Sequence, residues 1–289
     1  MTMYIPKSQP SPAETLPTMY DLPSEDPEEP GLPDEFHNFQ PELLRQTCIP
    51  PNYPLEQIFI ASDLNLYYDS NHPNWYKRPD WFLVLGASLL YQGNDLRLSY
   101  VMWQEQISPL VVVELLSEGT EDEDLGLTES APNKPPTKWQ VYEQILQIPY
   151  YFVFSRYTNQ LRVFRLIGNR YREQTLTARL RFWIPELELG IALWEGFYQN
   201  RHRLWLRWYD ANGNWILTLQ EREQIAIQNA EQERLAKELA IEQVEQERLA
   251  KESVIEQVEQ ERLAKEIAIQ KVERLAERLR AMGINPDDL

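Results

Sequence analysis

The amino-acid sequence predicts an α/β domain followed by a long charged helix. Three observations lead there. Short apolar runs bounded by turn residues recur between residues 55 and 217, a well-capped helix is signalled among them, and a 14-residue repeat of helix-forming residues replaces that pattern from residue 220 onward. Of the 289 residues, 43% are hydrophobic, with 9 Trp, 15 Tyr and 9 Phe, which is ample for a sizeable core and excludes wholesale disorder.

Residues 1–40 read as an acidic, Pro-rich segment, irregular to about residue 35. Asp21, Glu25, Asp26, Glu28, Glu29, Asp34 and Glu35 precede Glu42 there with no Lys or Arg among them. The globular domain is expected over 41–219. QIFIASDLNLYYD alternates as a strand and breaks at Asn71-His72-Pro73. DWFLVLG and PLVVVELLS are continuous apolar runs, as expected of strands buried on both faces. YYFVFSRYTNQLRVFRLIGNRYREQTL reads as a meander turning at Thr158-Asn159 and Gly168-Asn169, and RLWLRWYDANGNWIL as a hairpin turning at Asn212-Gly213. Between these, Thr137 is an N-cap with Gln140 three residues on, a capping box, and Trp139, Tyr142, Ile145 and Leu146 follow at helical spacing.

The repeat EQERLAKELAIEQV, EQERLAKESVIEQV, EQERLAKEIAIQKV covers 231–272 and predicts one helix over 220–283, with Glu233/Lys237, Glu247/Lys251 and Glu261/Lys265 as i,i+4 pairs. Arg278 and Arg280 occupy its last turn, Gly283 is its C-cap, Pro286 lies beyond, and 284–289 form a tail. Fourteen residues are two heptads, which suggests a coiled coil and a homo-oligomer. The best seam alternates Ile241 and Val244 with Arg248 and Lys251 and is half basic, so a solvated single helix stands beside that reading.

Composition excludes several chemistries. A single cysteine, Cys48, forms no intrachain disulfide, which fits a cytoplasmic protein. No apolar segment is long enough to span a membrane. The three histidines, His37, His72 and His202, have no ligand spacing, and there is no phosphate-binding glycine loop or nucleophile elbow. Any catalysis must therefore rest on carboxylates. The net charge of −17 argues against nucleic acid, but Arg156, Arg162, Arg165, Arg170, Arg172, Arg179 and Arg181 face only Glu173 and form either a basic strip for DNA or solvated strand faces.

Two carboxylates stand out. Glu114 interrupts the apolar run Pro109–Ser117, where an unpaired charge would cost several kcal/mol and so calls for a metal or a cation. Asp80 opens the run Trp81–Leu85; if the strands are neighbours, both carboxylates converge on one divalent ion. Lys138 sits in the first turn of its helix, where the helix dipole disfavours a cation. The structural alternatives are an ion pair between Glu114 and Lys138 or an arginine, strand capping by Asp80, and a surface lysine.

In order, Pro79-Asp80, Val113-Glu114-Leu115-Leu116-Ser117, Lys138-x-x-x-Tyr142 and Ile148-Pro149-Tyr150-Tyr151-Phe152 resemble the Uma-type endonuclease family of the PD-(D/E)xK superfamily, over about residues 55–175. KRPDWFLVLG and RLRAMGINPDDL look like a subgroup carrying a charged C-terminal helix. The resemblance implies a restriction-endonuclease-like mixed sheet flanked by helices. It implies Asp80, Glu114 and the Leu115 backbone carbonyl as Mg²⁺ (or Mn²⁺) ligands, with Lys138 orienting or activating water and DNA as substrate. Asp63, Asp124 and Tyr142 are accessory candidates. The chain departs from the superfamily in carrying Leu116 where the lysine usually stands, so Lys138 must supply the amine from the helix, and Ser117-Glu118 replaces a common Ser-Pro. Two other functions fit the same residues: a non-catalytic nucleic-acid or protein binding module on this fold, and an adaptor acting through the C-terminal helix.

Overall fold

The computed structural model describes residues 34–117, 121–130 and 134–283; Asp21, Glu25, Asp26, Glu28, Glu29, Glu118, Pro286 and the tail lie outside them. Helix α1 (Glu35–Thr47) opens the described chain. Asp34 caps it, its carboxylate accepting the His37 N–H, and Phe36, Leu43 and Leu44 lie fully or almost fully buried. The helix therefore crosses the boundary expected at residues 40/41.

Six strands form the central sheet: β1 (Ile58–Ala61), β4 (Trp81–Leu85), β6 (Val111–Leu116), β7 (Tyr150–Ser155), β8 (Gln160–Ile167) and β9 (Arg170–Glu173), side by side in that order. All neighbours are antiparallel except β6 and β7, so the sheet is mixed. The parallel pair needs a crossover. It contains α3 (Glu121–Asp124) and α4 (Lys138–Gln140), the latter running into a π-helical turn at Val141–Ile145. This is the mixed α/β, restriction-endonuclease-like architecture.

Both faces of the sheet are covered, which is why β4 and β6 read as unbroken apolar runs. One face, with Trp81, Val111, Val113, Leu115, Phe152 and Phe154, packs against α1 and the sheet β10 (Arg181–Ile184), β11 (Leu189–Tyr198) and β12 (Arg201–Tyr209). The other, with Phe82, Val84, Val112, Leu116, Tyr151 and Val153, packs against Val141, Tyr142 and Leu146 and a small sheet of β2 (Leu66–Tyr67), β3 (Tyr76–Lys77) and β5 (Tyr100–Val101). A short helix, α2 (Met102–Glu105), follows β5.

The structure departs from the expected elements in three places. QIFIASDLNLYYD is two strands, β1 and β2, because Asp63 adopts a left-handed φ of 55° and bends the chain. The long hairpin is β11–β12, turning at Gln199-Asn200 with φ values of 50° and 60°; at Asn212-Gly213 the chain closes only the bridge Tyr209↔Trp215. Gln-Asn lacks the glycine that marks such turns, hence the misplaced hairpin. Past Gln140 the π turn, closed by Leu146 N–H to the Val141 carbonyl at 2.8 Å, breaks the 3.6-residue period. Val141 and Glu143 turn inward and Ile145 outward, 45% exposed.

The second compact unit is α5 (Leu219–Ala281), which buries no residue along its length. Ion pairs along it join Arg234 to Glu231 and Glu238, and Arg248 to Glu245 and Glu252, rather than the expected Glu233/Lys237, Glu247/Lys251 and Glu261/Lys265. Gly283 follows in the left-handed conformation expected of a C-cap. Among the described residues no helix is long and apolar enough to cross a membrane.

Candidate active site

Register alone brings the two principal carboxylates together. β4 and β6 pair as Leu83↔Val111, Phe82↔Val112 and Trp81↔Val113, so one further step sets Asp80 opposite Glu114. Since Phe82 and Val112 share the α4-covered face, the alternation along each strand puts both acids there too. Like charges placed opposite one another are unfavourable and demand a cation.

The groups around them are hydrogen-bonded closely. Glu114 is fully buried; Tyr142 donates its hydroxyl to Oε1 at 2.8 Å, and Lys138 Nζ lies 3.2 Å from Oε2. Lys138 Nζ also lies 2.8 Å from Oδ1 of Asp124, itself fully buried, while the Asp124 carbonyl accepts the Tyr151 hydroxyl at 2.8 Å. The Asp80 backbone N–H points at Glu114 Oε2 at 3.5 Å, and Asp80 Oδ2 accepts the Leu115 N–H at 2.6 Å. Glu123 accepts the Lys138 N–H at 3.0 Å and pairs with Lys77 at 2.9 Å. The capping box of Thr137 and Gln140 is present and fixes the turn from which Lys138 reaches inward.

Three carboxylates thus surround one ammonium. Burial, and then the Asp124 and Asp80 charges, push the Glu114 carboxyl well above its usual range against the opposing pull of Lys138 and Tyr142. Burial disfavours the Lys138 ammonium, but Asp124, Glu114 and Asp80 outweigh it and hold its pKa well above the usual lysine range. Burial and the Glu114 charge raise the Tyr142 phenol, keeping it a donor.

The surplus of buried negative charge and the all-oxygen donor set fit a hard divalent cation. Among the described residues no three His, Cys, Asp or Glu side chains form a complete cage, so an ion here would be held by Asp80, Glu114 and the Leu115 carbonyl, with water and substrate oxygens completing its shell.

Of the sequence-predicted residues, Asp80, Glu114, Leu115, Asp124, Lys138 and Tyr142 come together. Asp63 does not: it is exposed and paired with Arg78 at 2.7 Å. His37, which spacing along the chain had set aside, joins the site. Its Nε2 is 3.0 Å from the Leu115 carbonyl and its Nδ1 2.8 Å from Asp34 Oδ1, so both nitrogens face acceptors and the ring must carry two protons. Burial lowers its pKa, but the Asp34 hydrogen bond, the Asp80 charge and the Leu115 carbonyl raise it further, a net upward shift. No local signal marks His37, because its partner lies 78 residues away.

Part of the basic strip is paired within the fold, while Arg165, Arg172 and Arg179 are exposed. Arg162 pairs with Glu173 and Arg170 with Glu143. Arg156 stands apart from these at the end of β7 and pairs with Asp34 at 2.6 Å.

Comparison with protein families matched the Uma2 family model, described as "Putative restriction endonuclease", over residues 12–197. Comparison with curated proteins gave no match.

Proposed function

The chain belongs to the Uma2 family, and on that footing we propose that it is a Mg²⁺-dependent endonuclease hydrolysing phosphodiester bonds in DNA, with Mn²⁺ as an alternative ion. The observation that carries the reading is the β4–β6 register, which sets Asp80 opposite Glu114 beside the Lys138 ammonium. A bound divalent ion supplies Lewis-acid polarisation of the phosphate and a bound water of lowered pKa.

The protein's own groups do the rest. Asp80 and Glu114 would supply carboxyl oxygens to the ion, and Tyr142 fixes the Glu114 carboxyl group by donating a hydrogen bond to Oε1. The Leu115 N–H locks Asp80 in turn. Lys138 keeps its proton, so it orients the attacking water or neutralises a phosphate oxygen rather than serving as the base. Asp124 also contacts Nζ, at 2.8 Å.

The test is incubation of the full-length protein with plasmid, linear and single-stranded DNA, with Mn²⁺ or Mg²⁺ and with EDTA. Metal-dependent cleavage that falls to background in Asp80→Asn, Glu114→Gln and Lys138→Ala is expected. A folded wild-type protein that binds Mn²⁺ yet cuts none of these substrates overturns the reading. A second reading, a binding module on the same fold, is favoured by the ion pairs through which Lys138 already spans Glu114 and Asp124. Under it the site binds no divalent ion, and calorimetry with Mn²⁺ separates the two.

A further inference from the structure

With a net charge of −17, the molecule as a whole repels a polyanion, so binding DNA requires concentrated local positive charge. Most arginines are committed elsewhere. Arg162 is held bidentate by Glu173, Arg97 by Glu105, and Arg207 is buried against the Ile216 carbonyl. Among the described residues Arg165, Arg172 and Arg179 form no salt bridge but are exposed, Arg165 and Arg172 opposite one another on β8 and β9; Arg156 and Arg203 are instead half-buried together. Arg203, on β12, lies with its guanidinium 4.3 Å from the centre of the Phe36 ring; that of Arg156 lies 5.9 Å from the same centre. Arg203 Nη2 donates to the Arg156 backbone carbonyl at 3.3 Å. Among the described residues no carboxylate forms a salt bridge with Arg203, and the single Asp34 beside the pair is shared with His37. Burial, and then the Arg156 charge, depress the Arg203 pKa: the fold keeps two half-buried like charges side by side. Arg203 lies on β12 and Arg156 directly after β7, and aromatic rings flank both guanidiniums.

The pair is also tied to the candidate active site. Arg156 follows Ser155, which pairs with Leu116 at the carboxyl ends of the parallel strands β6 and β7. A continuous bonded path runs from Arg156 through Asp34, His37 and the Leu115 backbone to Asp80.

We propose that Arg156 and Arg203 form a phosphate-binding subsite that holds a backbone phosphodiester group of a DNA strand. That the bound DNA is also cleaved rests on the nuclease reading; the anion site itself does not. Two guanidiniums offer fork-shaped donors matched to the two free oxygens of a phosphodiester.

The test is fluorescence anisotropy of a short labelled DNA duplex with the full-length protein in EDTA, across a salt series. Arg203→Gln should weaken binding about tenfold and lower the slope of log K against log salt by about one, the signature of one lost phosphate contact. Arg156→Gln should act likewise, and reports independently should Arg203→Gln fail to fold. Arg203→Lys should keep the slope, because it keeps the charge. Arg162→Ala, whose guanidinium is already taken by Glu173, should stay within about twofold of wild type. Wild-type protein that binds no DNA, or folded Arg203→Gln and Arg156→Gln variants that bind as wild type, overturns the subsite. Loss of binding in these variants without any Mn²⁺-dependent cleavage by wild type retains the subsite and removes the nuclease reading. Asp80-dependent cleavage with unchanged binding does the reverse.

Discussion

At the scale of single residues, Lys138 is the pivot. It contacts both Glu114 and Asp124, and its side chain is only 18% exposed. Removing it strands buried carboxylates, so Lys138→Ala should lose roughly 3–5 kcal/mol of stability in EDTA. Mn²⁺ should restore part of that loss, since a divalent ion answers the same surplus of negative charge. Melting temperatures with and without Mn²⁺ check both halves, and a variant as stable as wild type in EDTA would show that the carboxylates do not depend on Lys138. Asp34 is the second residue whose charge counts. Burial raises its carboxyl, but the hydrogen bonds and charge of His37, with Arg156 beyond, bring it down to about 2 from an ordinary 3.8. A depressed carboxylate contributes stability above its unfolded value and loses it as pH falls through the folded one. The gap in urea midpoint between wild type and Asp34→Asn should therefore be full at pH 5 and shrink between about pH 4 and 2. A gap constant over that range would mean that Asp34 contributes by shape alone.

At the scale of elements, the site depends on contacts that hold strands in place far from it. Gln40 of α1 makes a two-way link to β12, its side-chain amide donating to the Leu206 carbonyl and accepting the Leu206 N–H, both at 2.8 Å. The helix that carries His37 is thereby seated on the second sheet. In that sheet, Gly190 of β11 pairs with Tyr209 of β12, whose ring lies where a Cβ on Gly190 would fall, 1.9 Å from Cζ. The ring is held in place by Trp183, Trp215 and the Arg181 guanidinium. Gly190→Ala should accordingly cost about 1–3 kcal/mol through overpacking, read as a lowered urea midpoint with an unchanged denaturant slope. An unaltered midpoint would mean that Tyr209 can swing aside freely.

At the scale of the whole molecule, the chain divides at Leu219 into two compact units. The repeat helix has apolar residues on every side, none of them buried, so it contributes no packing energy to its own length. A chain ending at Leu219 should keep the near-UV circular dichroism of the full protein and, under the nuclease reading, its metal-dependent cleavage. A truncated protein that is molten or insoluble would show that the helix supports the core. Loss of cleavage from a well-folded truncation would instead move the function toward an adaptor role for α5.

Local pattern was enough to determine the strands β4, β6 and β7, the capping box at Thr137, the long helix, and the pair Asp80 and Glu114. Each is written over a few residues: a charge inside an apolar run, a cap three residues before its partner, a repeat of fixed length. The neighbourhood of Asp80 and Glu114 needed one further fact, the β4–β6 register, and a slip of one residue would have sent the two acids to opposite faces. What only tertiary structure decided has no local period at all. His37 meets a carbonyl 78 residues away, Arg203 meets the backbone of Arg156, and Asp34 joins both from the start of α1. Such contacts are set by how the layers stack, and stacking depends on the whole apolar surface of each layer rather than on any window of sequence. The π turn after Gln140 belongs to the same class: the burial of Val141, Tyr142 and Leu146 against the sheet overrides the helical period that their spacing suggests.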